Sequence, residues 1–233
     1  MNCAIMQPTF LPWAGYFNLM AQVDDFVFLD DVQLDTRSWQ TRNRLLMNGC
    51  VQLISVPVRH SKQSQTIKET EVLDIDRWGK KLARGFKHSY GKHSHYTAAC
   101  DVLDLLTLQT EVKLSVLNET IIRYVAERLG ITARLHRAGE LGVTGIRSAR
   151  LISLCEYFSA KEYLSPVGSA DYLEDDDFAV NSRATLRFQE YCPQPYPQKG
   201  SREFVSHLSI VDVIANFGWD GARQYINKGV IDE

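Results

Sequence analysis

The stretch from Ala4 to Gln33, AIMQPTFLPWAGYFNLMAQVDDFVFLDDVQ, limits what this chain can fold into more than any other. A short apolar run, Ala4-Ile5-Met6, breaks at Gln7-Pro8, as a buried strand does at its C-terminal end. Pro8 and Pro12 fix their own φ and bias the residues before them to extended geometry, so the next segment is a rigid turn. Gly15 to Val23 then supplies a short helix with Phe17, Met20 and Ala21 on one face. A second apolar run, Phe26 to Leu29, stops at Asp30-Asp31. Strand, turn, helix and strand make a βαβ unit, whose strands are parallel neighbours joined by a crossover. Open α/β sheets place ligands at the carboxyl ends of such strands. Gln7 ends the first strand, and Asp30, Asp31 and Gln33 follow the second; together they form the first candidate site.

The rest of the chain predicts an α/β fold in one domain over 1–233, with a mixed, mainly parallel Rossmann-like sheet, a β-hairpin and a central helical subdomain over about 76–130. Arg42–Met47 and Cys50–Val56 flank Asn48-Gly49, a pair that favours a type I′ hairpin turn because both positions need φ > 0. Thr66 to Leu73 reads as a short strand antiparallel to that hairpin. Asp76 stands as the N-cap of a helix carrying Trp78, Leu82 and Phe86. Helices over Tyr96–Leu108 and Glu111–Leu129 follow; Val112, Val116, Leu117, Ile121 and Val125 stripe the second, and Gly130 caps it. Strands at Thr132–His136, Glu162–Leu164 and Thr185–Phe188 alternate with a helix over Ala149–Phe158 and a short one through Tyr172-Leu173, as parallel additions to the first sheet. Ser209 to Phe217 is a closing helix, with Ser209 as N-cap and Asp212 at N3 in a variant capping box.

With 233 residues and 45% apolar content, such a domain needs neither disulfides nor metals to bury a core. A net charge of −2 lacks the basic surplus of a nucleic-acid binder. The five cysteines are odd in number and contain no C-x-x-C pair, which fits reduced thiols in a cytoplasmic protein. No basic-then-apolar leader opens the chain and no apolar run of about 18 residues occurs, so a soluble protein without a membrane span is expected.

Asp30 and Asp31 are adjacent at a strand end and point to opposite faces, so at most one enters a given pocket. That one is a candidate general base, or an acceptor for substrate hydroxyls or amines; loop capping is the plain alternative. Tyr16, at the positive end of the first helix, is placed to donate to a phosphate or sugar oxygen, or else lies in the core. Arg42 and Arg44 share one face of their strand and can grip a phosphate or carboxylate, while Asn43 faces the other way. His93 lies beside His88, His95 and Tyr90 and is a candidate base; Tyr90 joins the substrate-binding candidates. His93-x-His95 has no evident third ligand, so no metal site is expected. Ser165 and Tyr172, with Tyr163 and Tyr196, are candidates for a sugar-binding wall, against the default of core packing. Cys155 falls on a buried helix face and is expected to be inert. Neither a P-loop nor a Rossmann glycine motif is present. The Pro…Gly-Tyr turn resembles the Pro…Gly-His turn of nucleotidylyltransferases but lacks their histidines, which puts nucleotidyl transfer last.

The same residues resemble the WbqC-like proteins of bacterial surface-polysaccharide gene clusters. The likeness rests on Gln7-Pro8, Phe10, Pro12, Gly15-Tyr16-Phe17, Asp30-Asp31-Val32, Trp39 and Arg42-Asn43-Arg44, and continues through Trp78, Tyr90, Asn118, Arg150-Leu151-Ile152, Tyr163, Gly168, Tyr172-Leu173, Tyr196 and Leu208 to Asp212. It departs after Tyr90, where Gly91 to His95 lacks the proline many members carry. The resemblance implies a transferase that places an acyl or aminoacyl group on a nucleotide-linked amino sugar in O-antigen or related glycan synthesis. Asp31 or Asp30 would act as base, Arg42 and Arg44 would hold a diphosphate or carboxylate, and Gln7 and Asn43 would orient the acyl carbonyl or a hydroxyl. No intrinsic cofactor is implied; the acyl donor would ride on coenzyme A or an acyl carrier protein. The alternative is a non-catalytic sugar-nucleotide-binding or scaffold subunit.

Overall fold

The structure, a computed structural model, describes residues 1–107 and 113–229. In chain order its strands and α-helices are β1 (Asn2–Met6), α1 (Ala14–Ala21), β2 (Asp25–Phe28), β3 (Arg42–Met47), β4 (Cys50–Ser55), β5 (Val58–Arg59), β6 (Glu71–Val72), α2 (Ile75–Tyr90), α3 (Tyr96–Asp104), α4 (Leu114–Arg128), β7 (Arg134–Arg137), α5 (Arg147–Tyr157), β8 (Glu162–Ser165), α6 (Ala170–Asp175), α7 (Phe178–Asn181), β9 (Thr185–Phe188) and α8 (Ile210–Lys228).

Five strands form one wholly parallel sheet in the order β7-β2-β1-β8-β9. Counted within the sheet this is 3-2-1-4-5, the doubly wound order, in which the strand sequence reverses between β1 and β8. Side-chain alternation assigns the faces. Ala4, Phe26 and Phe28 pack with α1, α4 and α8, whereas Cys3, Ile5 and Val27 pack with α5, Leu173 and Phe178. Helices cover both faces, which explains why every residue of β2 is buried. The central helices belong to the first of these clusters, through Phe86 on α2, Ala99 and Val102 on α3, and Ile121 and Ile122 on α4, all fully buried.

The β3–β4 hairpin forms in the predicted register, with Met47 opposite Cys50 and both Asn48 (φ 54°) and Gly49 (φ 73°) left-handed. A Cβ at Gly49 would lie 2.9 Å from the Gly200 carbonyl oxygen. Gly49→Ala is therefore expected to lower stability by about 1–2 kcal/mol, read as a drop of roughly 2–8 °C in Tm. An unchanged melting curve would refute this account of the turn.

Several local expectations are corrected. The antiparallel pairs stand apart from the main sheet, and β6 pairs with the two-residue β5, not with the hairpin. Asp74, in a left-handed conformation, holds the cap position of α2; Asp76 lies in its first turn and pairs with Lys80 instead. Val116 is exposed, and the buried stripe of α4 runs through Leu117, Ile121 and Val125 with Ile122. The predicted helix ends at Leu108 and Glu111, and Val112, lie outside the described residues. Ser209 does cap α8, accepting from the Val211 amide at 3.3 Å, but the Asp212 carboxylate turns inward to two tyrosines. The closing helix also runs beyond Phe217 to Lys228, with a kink at Gly218 (φ 69°, ψ −168°).

Candidate functional site

Where β2 ends and α5 begins, the surface opens into a cleft of ≈ 620 Å³, within the range of small-molecule sites. Leu29, Asp31 and Gln33 supply one wall, Ile146, Arg147 and Arg150 another, and Tyr172 a third. The chain leaves a buried strand, cannot continue its apolar run at Asp30-Asp31, and so turns polar side chains outward where the sheet ends. Arg150 donates through Nη2 to Asp31 Oδ2 at 2.6 Å. Asp31 Oδ1 and Arg150 Nε are buried and, among the described residues, without a hydrogen-bond partner. One carboxylate oxygen is thus fixed by a guanidinium while the other keeps its accepting capacity. Arg147 pairs with Asp176 at 3.0 Å and remains largely exposed at the cleft. Each cleft arginine is thus matched by a carboxylate, Arg150 by Asp31 and Arg147 by Asp176, and the start of α5 adds a partial positive charge to a wall whose side-chain charges balance.

Asp30 takes the other direction. It is buried and accepts from the Gly139 amide at 2.9 Å, tying the end of β2 to the segment just after β7. Gln7 does not line the cleft; its side-chain oxygen accepts from Gln40 at 2.9 Å. The amide and carboxylate expected to share one hollow are therefore turned apart. The Tyr16 hydroxyl donates to the Gln7 carbonyl at 3.2 Å, and burial, followed by the Glu119 charge, holds its pKa well above the ordinary tyrosine value.

The remaining candidates are dispersed. Asn43 donates to the carbonyls of Phe10 and Leu11 and accepts from the Arg44 amide, so its amide fastens the Pro8–Pro12 turn. Arg42 and Arg44 do not form a clamp: Arg42 donates to the Arg37 carbonyl, and Arg44 to those of Ser206 and His207. Tyr90 is buried between the Leu46 amide and the Asp212 carboxylate. His93 is buried against the Tyr90 ring and carbonyl at the α2–α3 turn, where burial lowers its pKa; it does not line the Asp31 cleft. Ser165 is fully buried and bonded to Ser169 at 2.6 Å, leaving Tyr172 as the one member of its group that lines the opening. Tyr163 and Tyr196 are core residues. Cys155 is buried against the Cys3 thiol at 3.6 Å, a contact that, with burial, raises its pKa and disfavours the thiolate.

Sequence reasoning gives no role to Arg147 and Arg150. Their spacing of three at a helix start, on one face, is the signal that was there to find. It also passes over Glu119, which is buried on α4. Burial raises its carboxyl above the ordinary value, although Arg137 holds Oε2 at 2.6 Å; Oε1 has no hydrogen-bond partner among the described residues. Nothing in a helical stripe of apolar residues announces a buried carboxylate among them.

The model of the WbqC-like protein family matches residues 7–224. A protein of Mycobacterium tuberculosis named "Uncharacterized protein Rv1507c" is 31% identical over 217 residues, covering 92% of this chain and 93% of that protein. No solved structure matches the chain. The family match runs from Gln7, just after β1, through Asp30-Asp31, just after β2, across most of the chain, and the chain belongs to the WbqC-like protein family.

Proposed function

We propose that this protein is a transferase that places an acyl or aminoacyl group on a nucleotide-linked amino sugar in surface-glycan synthesis. The observation that carries the reading is Asp31 on the cleft wall, with Oδ2 held by Arg150 and Oδ1 buried and, among the described residues, without a hydrogen-bond partner. A carboxylate so held is oriented to accept a proton from an amine attacking an acyl carbonyl. The amine's lone pair forms the bond to the carbonyl carbon, and the bond to the donor's sulfur breaks. The amine proton passes to Asp31 and from there to the departing thiolate. Arg147 and Arg150 suit the phosphates of the acceptor, and Gln33 and Tyr172 its hydroxyls. In this reading the acyl donor rides on coenzyme A or a carrier protein.

Incubation with UDP-linked amino sugars and acyl thioesters, followed by mass spectrometry, tests it. The expected result is a product heavier by one acyl group, formed only with both substrates. Saturable binding of the amino-sugar nucleotide without product from any thioester would make the protein a binding subunit instead.

A further inference from the structure

At the carboxyl end of β1, where the Pro8–Pro12 turn meets β3, lies a second hollow of ≈ 190 Å³ whose walls include the rings of Trp13, Tyr16, Trp39 and His207. We infer that it is a stacking site for a single flat heterocycle, a nucleobase of pyrimidine size, seated against Trp39. The occupant would be the base of the nucleotide on the proposed acceptor, and to that extent the inference rests on the reading above.

Trp39 is half exposed at the rim, although it is among the largest apolar side chains in the protein. The Arg44 guanidinium lies over its ring, 5.8 Å from the centroid. Trp13 packs on the His207 ring with centroids 4.4 Å apart, and both line the hollow with Tyr16. Aromatic faces and arginine planes are the surfaces on which unpaired bases stack. The volume falls below the roughly 300 Å³ at which drug-sized ligands fit, so one ring enters and not a whole nucleotide.

The polar atoms decide between a base and a sugar. Tyr16 and Asn43 already use their groups on backbone carbonyls, and the Arg44 Nη2 does the same. Among the described residues, two buried atoms of residues lining the hollow have no hydrogen-bond partner: Arg44 Nε, a donor, and Thr9 Oγ1, which donates or accepts. Burial, and then the Arg44 charge, lower the His207 pKa, which keeps the imidazole neutral with one donor and one acceptor. A hexose would bring more hydroxyls than these groups can satisfy once water is excluded, and each unsatisfied one is unfavourable. A pyrimidine offers two flat faces and a short polar edge, which this set can meet.

Calorimetry and saturation-transfer NMR with UMP, on the full chain, test the site. UMP should bind with its ring protons saturated most strongly. Trp39→Ala should weaken binding roughly five- to 150-fold, the loss of one aromatic stacking partner, while Trp39→Phe should restore most of it. Tyr157→Ala, an exposed aromatic on α5, serves as the control and should leave binding unchanged. No UMP binding at millimolar concentration, equal binding by Trp39→Ala, or capture of methyl glucoside in preference to UMP would each overturn the inference. UMP binding without acyl transfer would leave this site standing and remove the transferase reading; transfer in the absence of any UMP binding would do the reverse.

Discussion

Asp31→Asn is expected to bind a nucleotide-linked amino sugar and fail to turn it over. The amide keeps the shape of the carboxylate and can still accept from Arg150, which lies 2.6 Å from the native oxygen, but it cannot take the amine's proton. A positioned base contributes about 10²- to 10⁴-fold, so kcat should fall within that range while substrate affinity changes little. Stability should fall only slightly. The pair is partly exposed, 16% for the aspartate side chain and 14% for the arginine, so exchanging a charged for a neutral acceptor costs about 1–2 kcal/mol, or roughly 2–8 °C in Tm. Asp30→Asn is the contrasting variant. Its carbonyl can still receive the Gly139 amide, and it does not line the cleft, so turnover should stay within about threefold of the parent, well short of the loss of a base. Full activity in Asp31→Asn, or loss confined to Asp30→Asn, would remove Asp31 as the base.

The fold is legible where the sequence states it locally. Asn48-Gly49 encodes its turn in two residues that tolerate positive φ, and the structure places both there. Ala4-Ile5-Met6 and Phe26 to Leu29 are apolar on successive residues, as strands covered on both faces must be, and they pair in parallel. Choosing which of two adjacent carboxylates meets the solvent needs the partner strand and helix. Asp30 is claimed by an amide 109 residues away and Asp31 by an arginine 119 residues away. The same holds for Asn43, Arg42 and Arg44. A strand of alternating polar residues looks like a ligand-gripping face, but the turn and loops folded over it present carbonyls that need donors. Asp212 departs from its expected role for a related reason. Helix capping is local and easily written in sequence, whereas two tyrosine hydroxyls from 122 and 16 residues away offer the carboxylate better partners.

That buried carboxylate carries the other large effect. Asp212 is fully buried in the first turn of α8; its Oδ2 accepts from Tyr90 at 2.7 Å and its Oδ1 from Tyr196 at 2.6 Å. Through Tyr90, which also accepts from the Leu46 amide, it joins α8 to α2 and the hairpin. Asp212→Ala leaves two buried hydroxyls without an acceptor and should cost about 2–5 kcal/mol in denaturant unfolding. Asp212→Asn should cost less, about 1–2 kcal/mol, because its carbonyl can take the Oδ1 place and accept from Tyr196 and Asn216 while its NH₂ donates to the Tyr90 hydroxyl, which must then turn to another acceptor. The parent and the Asn variant also separate by pH. Burial raises the Asp212 carboxyl above its ordinary value, and the two tyrosine hydrogen bonds offset this only in part. The folded protein therefore takes up a proton at a higher pH than the unfolded chain does. The resulting stabilisation is fully present below the unfolded aspartate value of about 3.9 and is lost as pH rises through the folded one. Asp25 acts oppositely: burial pushes it up, but hydrogen bonds from Arg134 and His136 prevail and lower it, so its contribution is lost on acidification. That effect is common to the parent and to Asp212→Asn and cancels in their difference. As pH falls from neutral toward 4, the parent should thus gain stability relative to Asp212→Asn, and a difference that stays flat across that range would show that the Asp212 carboxyl is not held above its ordinary value.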